Sequence, residues 1–250
     1  MMRSLVAGNW KMNGLKAESL ELASDLAGRA RSGAVCDVLV CPPSTMLSDV
    51  GAVISGSGIM LGGQDCHALE SGAHTGDVSP VMLADLGCSH AIVGHSERRA
   101  NHGESDAVVT EKAAAAHKAG LTAIICLGEN AAERVEGRAK EIVTLQLHGS
   151  LPEGASAANT VIAYEPVWAI GTGNTATPQD VTEIHDHLRG ELIRAFGDDG
   201  NAVRLLYGGS VNAGNASELL AVDNVNGALV GGASLKPDDF WAIVESGRPD

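Results

Sequence analysis

Aromatic side chains are nearly missing from this 250-residue chain, where two Phe, two Tyr and three Trp make up 3%. A core with so few rings must be filled by Val, Ile, Leu and Ala, and a hydrophobic fraction of 44% is ample for one. Positive charge is scarce as well. Seventeen Lys and Arg face thirty-one Asp and Glu, for a net charge of -14, which argues against sequence-independent binding to nucleic acid or to an anionic membrane surface. A small anionic ligand remains admissible, because screening over roughly 8 Å lets a local group of cations and helix N-termini act on its own. No apolar run approaches a membrane span, and the few apolar residues before Asn9 are too short for a signal peptide. The five cysteines (Cys36, Cys41, Cys66, Cys88, Cys126) are odd in number and lack metal-type pairing. They fall mostly in or beside apolar runs, so they are expected to be buried, reduced thiols of a cytoplasmic protein. No linker-like segment divides the chain.

What is present is a rhythm. Short, nearly continuous apolar runs occur at Leu5–Ala7, Val38–Cys41, Ile59–Gly62, Ala91–Gly94, Ala123–Leu127, Val161–Tyr164, Arg204–Tyr207 and Ala228–Val230, as expected of strands buried on both faces. Helical patterns fill most of the gaps: Ala17–Arg31, Ser44–Ile54, Ser105–Ala119, Ala131–His148, Gln179–Phe196, Ala216–Leu220 and Asp238–Ser246. Thr177-Pro178 supplies an N-cap followed by Pro at the first helical position, and Gly120 closes the helix before it. Eight strand-helix units in one undivided chain of this length predict an α/β architecture, a single (β/α)8 barrel of parallel strands over residues 1–250. The long Gly-rich connection from Gln64 to about Ser79 breaks the rhythm and is expected to make a subunit contact.

In such a barrel, function collects where strands end. Asn9-Trp10-Lys11 follows the first strand, His95-Ser96-Glu97 the fourth, Glu165 the sixth, Gly208-Gly209-Ser210 the seventh and Gly231-Gly232 the eighth. Singly, each has an ordinary structural explanation; together they form a complete set for one kind of chemistry. Glu165 can take a proton from a carbon beside a carbonyl, His95 can hydrogen-bond the oxygen that gains charge, and Lys11 adds a fixed positive charge. Backbone N–H groups at Gly171, Ser210, Gly231 and Gly232 can hold a phosphate. No metal-ligand cluster accompanies these groups. Gly171-Thr172-Gly173-Asn174-Thr175-Ala176 fits a dinucleotide pattern but lies past its strand in the wrong unit. In His185-Asp186-His187 the histidines diverge by about 200° on a helix, so a solvated helix face is expected there.

Five segments carry a resemblance that spans the chain. Gly8 to Asn13, Gly94 to Arg99, Tyr164 to Gly173, Tyr207 to Val211 and Leu229 to Ser234 are similar to the signature segments of the triosephosphate isomerase family, whose fold is the TIM barrel. The resemblance implies interconversion of dihydroxyacetone phosphate and glyceraldehyde 3-phosphate through an enediolate, without a cofactor, in glycolysis and gluconeogenesis. It implies Glu165 as base and His95 as electrophile, held neutral, under a sixth loop that closes. Asn9 and Lys11 fall where the family contacts substrate, and Ser96 and Glu97 in supporting positions. Pro166, Val167, Trp168, Ala169, Ile170, Gly171, Thr172, Gly173 and Asn174 match the lid. A cytoplasmic homodimer is implied, with His74, Thr75 and Gly76 in the loop that enters the partner near Lys11.

Three positions depart from the family pattern. Asn174 replaces a frequent Lys at the far hinge. Asn226 replaces a frequent Asp, so that Arg189 is expected to lose an ion pair and keep a single, weaker hydrogen bond. His74 replaces an aromatic residue, and its protonation is expected to loosen the dimer. Rival readings are another phosphate-binding barrel, such as a sugar phosphate epimerase, and a catalytically silent binding protein on the same fold. The first needs different groups after strands one and four, and the second should have lost one of Lys11, His95 and Glu165.

Overall fold

The computed structural model of the chain describes residues 2–170 and 175–249. Each apolar run forms a strand, and each strand hands over to helix or loop at a polar or glycine-rich break. In chain order the elements are β1 (Leu5–Asn9), α1 (Lys16–Arg31), β2 (Asp37–Cys41), α2 (Leu47–Ile54), β3 (Met60–Gly63), α3 (Pro80–Asp85), β4 (His90–Val93), α4 (Ser96–His102) and α5 (Asp106–Lys118). There follow β5 (Thr122–Leu127), α6 (Ala131–Val135), α7 (Ala139–Ser150), β6 (Thr160–Tyr164), α8 (Pro178–Phe196), β7 (Arg204–Tyr207), α9 (Ala216–Leu220), β8 (Gly227–Val230) and α10 (Pro237–Glu245). The strands pair in sequence order, all parallel, and β8 closes on β1 with Leu5 opposite Gly227.

Strand alternation divides the core in two. Leu5, Ala7, Leu39, Cys41, Ile92, Ile124, Cys126, Val161, Ala163, Leu206 and Leu229 form the inner cluster, and their strand neighbours meet the helices in a second one. The inner layers are small and branched because the sequence has few rings to put there. All five cysteines are free and buried, and burial pushes the Cys36 thiol up to about 11.

The structure refines several expected boundaries. The stretch Ala131–His148 is two helices, because Gly137 adopts φ +73 after α6 and restarts the chain at α7. Ser44–Met46 is a 3-10 turn ahead of α2. The short helices α3 and α4 were hidden in the sequence, being too short for apolar periodicity to show. The long connection ends as expected at Ser79, which caps α3 by accepting the Met82 N–H at 3.3 Å. At Thr177 the predicted cap is present, its side chain accepting from Asp180 N–H while Asp180 accepts from Thr177 N–H.

Candidate active site

The strand period sets the site. Inward positions on β6 run Val161, Ala163 and then Glu165, and those on β1 run Leu5, Ala7 and then Asn9, so both polar residues emerge inside the barrel at its C-terminal mouth. Glu165 is 1% exposed. After β4 the chain turns at Gly94, with φ +66, where a Cβ would stand 2.7 Å from Val109. That turn makes His95 the N-cap of α4, its Nδ1 accepting the Glu97 N–H at 3.2 Å. Nε2 is thereby aimed at Glu165 Oε1, 2.9 Å away.

Lys11 follows β1 in a left-handed conformation, φ +52, a strained state for a side-chain-bearing residue. Three bonds hold it there. Its N–H donates to Asn9 Oδ1 at 3.0 Å, and Gln64 Nε2 donates to the carbonyls of Lys11 and Cys41, both at 2.8 Å. Nζ then meets Glu97 Oε1 at 2.5 Å.

Burial alone would raise the Glu165 pKa. The His95 imidazole reverses this together with Ser96, whose N–H donates to Oε2 at 2.9 Å and whose hydroxyl donates to Oε1 at 3.1 Å, so the carboxyl lies below its ordinary value. For His95 burial opposes the charged form, while the paired carboxylate outweighs it and moves the pKa up. The Glu97 N–H nevertheless requires a lone pair on Nδ1, which leaves the single proton of a neutral ring on Nε2, facing the cavity. Once Glu165 turns away from His95, the raising influence goes with it.

These groups line a cavity of about 490 Å³ shared with Ile170, Gly208 to Asn212, Gly231 to Ala233, Lys236 and Asp239. Gly231 and Gly232 lead into a 3-10 turn, Gly232–Leu235, and Gly209 must lack a side chain because a Cβ would sit 2.2 Å from the Tyr207 hydroxyl. The far wall leads to a second 3-10 turn, Val167–Ala169. Glu129 holds that turn: its carbonyl accepts from Val167 N–H at 3.1 Å, and its Oε1 accepts from Trp168 Nε1 at 2.8 Å and from the Tyr164 hydroxyl at 3.0 Å. Arg134 lies over the Trp168 ring at 5.2 Å.

The structure thus brings together Asn9, Lys11, His95, Glu97, Glu165, Ser210, Gly231 and Gly232, with Ser96 behind Glu165. Gly171, Thr172, Gly173 and Asn174, expected as lid tip and far hinge, lie outside the described residues. His74, Thr75 and Gly76 are exposed on the long loop and do not line this cavity. The sequence reading missed Glu129 and Gln64. Glu129 stands two residues past β5, so the same strand-end criterion that selected Glu165 could have found it; Gln64 follows β3 directly. One expectation is corrected. His185 is not on a solvated face but fully buried against Tyr164 and Tyr207, its Nδ1 facing the Asn224 carbonyl at 3.1 Å.

The family model described as triosephosphate isomerase matches residues 4–247. A triosephosphate isomerase of Afipia carboxidovorans is 58% identical over 245 residues, covering 98% of each chain. One from Rhodopseudomonas palustris is 57% identical, covering 97% of each. Among solved structures, the triosephosphate isomerase of Bartonella henselae superposes with a TM-score of 0.91 at 48% identity, covering 98% of this chain and 99% of its own.

Proposed function

This chain belongs to the triosephosphate isomerase family, and we propose that it performs that family's reaction with Glu165 as base, His95 as electrophile and Lys11 as electrostatic partner. The reaction is the reversible interconversion of dihydroxyacetone phosphate and D-glyceraldehyde 3-phosphate. Glu165 removes a proton from the carbon next to the carbonyl, and the C–H electron pair becomes the C=C bond of an enediolate while charge moves onto the carbonyl oxygen. The His95 Nε2–H and the Lys11 ammonium stabilise that oxygen. Proton exchange between the two oxygens through His95, followed by return of the proton from Glu165 to the neighbouring carbon, completes the isomerisation.

The observation that carries this reading is a buried carboxylate 2.9 Å from a cavity-facing imidazole. In the resting site Glu165 is engaged by Ser96, so the base must swing off Ser96 to reach substrate. The phosphate is held by Ser210, Gly231, Gly232 and Gly171, and residues 166–174 form the lid. Closing that lid excludes water from the enediolate.

The catalytic unit is the single barrel spanning residues 1–250, working as a homodimer in the cytoplasm. Support for the dimer comes from Met12, 96% exposed beside Lys11, and Leu69, 52% exposed on the long connection expected to make a subunit contact. Five buried free thiols support a reducing compartment. No described helix is long and apolar enough to cross a membrane. A coupled assay on purified protein tests the reading: wild type isomerises glyceraldehyde 3-phosphate, and Glu165→Ala loses about 10² to 10⁴-fold in turnover with an unchanged circular dichroism spectrum. Absence of activity in the wild type refutes it.

A further inference from the structure

Arg134, on α6, stands outside the reacting set, yet it joins the turn that follows Glu165 to the cap of α8. Its guanidinium carbon lies 5.2 Å from the centroid of the Trp168 ring, its Nη1 stands 3.7 Å from Glu129 Oε1, and its Nη2 donates to Asp180 Oδ1. The other oxygen of Asp180 closes the start of α8, where Oδ2 accepts the Thr177 N–H at 2.9 Å and the Thr177 hydroxyl at 2.7 Å. We propose that Arg134 is a positioning residue that latches the 3-10 turn Val167–Ala169 to the first turn of α8 and so holds Glu165 in its resting place on Ser96. The proposal rests on the assignment of Glu165 as the base.

The local sequence aims the guanidinium. Asn130 Oδ1 accepts the Glu133 N–H at 3.0 Å and Glu133 Oε2 accepts the Asn130 N–H at 2.8 Å, a reciprocal cap that fixes the short helix α6 from which Arg134 projects. One residue ahead of that cap is Glu129, fully buried, whose Oε1 already receives Trp168 and Tyr164. A planar guanidinium can lie over an indole and still donate to a carboxylate through its edge, which the compact ammonium of a lysine cannot do. Only Pro166 and Val167 separate the held ring from Glu165. The Ala169 N–H donates to the Pro166 carbonyl at 2.8 Å and the Val167 N–H to the Glu129 carbonyl at 3.1 Å, so the turn moves as one piece.

Two restraints therefore act on the base in its resting state. Ser96 holds the carboxylate itself, and Arg134 holds the turn behind it. Leaving Ser96 requires that turn to shift, and the contacts of Arg134 oppose the shift. With its side chain 23% exposed, loss of the cation–ring contact changes the equilibrium between the resting and the released turn by about two- to fivefold. A ligand that selects the released state then binds tighter by the same factor, because its apparent dissociation constant varies inversely with the fraction of competent protein. A side chain needed only for folding gives no such gain on removal.

The test uses full-length protein with fluorotryptophan at its three Trp positions, the Trp168 resonance being assigned with Trp168→Phe. The ligand is glycerol 3-phosphate, the substrate skeleton with its carbonyl reduced and so unable to enolise. Calorimetry should show Arg134→Leu binding it about two- to fivefold tighter than wild type, and fluorine relaxation dispersion on Trp168 without ligand should show a minor state more populated by the same factor. Asp180→Asn, which keeps an oxygen for the Thr177 N–H but loses the ion pair, should move both readouts the same way by less. Arg134→Lys keeps a charge for Asp180 without a planar face and should fall between wild type and Arg134→Leu. Circular dichroism establishes that each variant is folded. Binding by folded Arg134→Leu that is unchanged or weaker, or an unchanged Trp168 population, overturns the latch. Absence of isomerisation by wild type overturns the base assignment instead, and the binding and exchange readouts still decide whether Arg134 holds the turn.

Discussion

Replacing Asn226 by Asp tests how the barrel carries a buried cation without a counter-charge. Arg189 on α8 is 7% exposed and donates to four acceptors: the Gly200 carbonyl at 2.5 Å, the Val203 carbonyl at 2.8 Å, Asn226 Oδ1 at 2.7 Å and Asn224 Oδ1 at 3.3 Å. All four are neutral, and burial pulls the guanidinium pKa down. Asn226 Oδ1 also accepts the Leu205 N–H at 3.0 Å, so a carboxylate of the same shape fits with both bonds kept. A neutral hydrogen bond is worth about 1 kcal/mol net and one to a charged group about 1.5–3 kcal/mol. Attraction between charges about 4 Å apart adds about 4 kcal/mol at an effective dielectric of about 20, much of it offset by desolvating the new carboxylate. The expected net gain is about 1–2 kcal/mol, or about 2–8 °C in Tm for a chain of this size. The paired carboxyl's folded pKa lies below its unfolded value of about 3.9. The gain is therefore complete above that value and vanishes as pH falls through the folded pKa. Differential scanning calorimetry of wild type and Asn226→Asp at pH 7 and pH 3 reads both features. No gain at pH 7, or a gain that survives unchanged at pH 3, refutes the reasoning.

The remaining predictions concern protons. Because His95 and Ser96 hold Glu165 below the ordinary carboxylate value, Ser96→Ala should move the acid limb of kcat/KM to higher pH; the substrate phosphate titrates identically with both enzymes, so the difference between profiles isolates the base, and superimposable limbs contradict the assignment. His90 and His185 are buried and neutral, with pKa values pushed down to about 4 chiefly by burial. Their contribution to stability is complete above the unfolded value of about 6.5, amounts to about 3 kcal/mol each, and is lost as pH falls toward about 4. His95, shifted the other way, opposes them. Unfolding midpoints followed by circular dichroism should fall between pH 7 and pH 5, and a flat profile excludes the two buried rings as the source.

Much of the fold was legible because a parallel barrel buries its strands on both faces and so writes them as apolar runs. The runs at Val161–Tyr164 and Arg204–Tyr207 became β6 and β7 with little change. Helix α4 was illegible for an equally physical reason: Ser96–His102 has no fully buried residue, and hence no apolar stripe. His185 was misread because helical divergence from His187 says which faces the two occupy but not which face the barrel covers. The Arg189–Asn226 hydrogen bond was anticipated, whereas the Gly200 and Val203 carbonyls that complete the guanidinium's shell come from a 3-10 turn and the residue after it, which no local pattern pairs with α8.

By itself, the sequence determined the eight-unit barrel and the presence of Glu165, His95 and Lys11 at strand ends, since hydrophobic period and side-chain chemistry are properties of neighbours along the chain. The tertiary structure alone decided that Glu165 rests on Ser96, that Gln64 braces the strained Lys11 backbone, that Glu129 holds Trp168, and that His67 and His74 stack within reach of Asp77. The first three contacts join residues on different loops, and the last joins distant positions of one long loop. Their distances depend on how the strands tilt and close, and strand periodicity does not encode that closure.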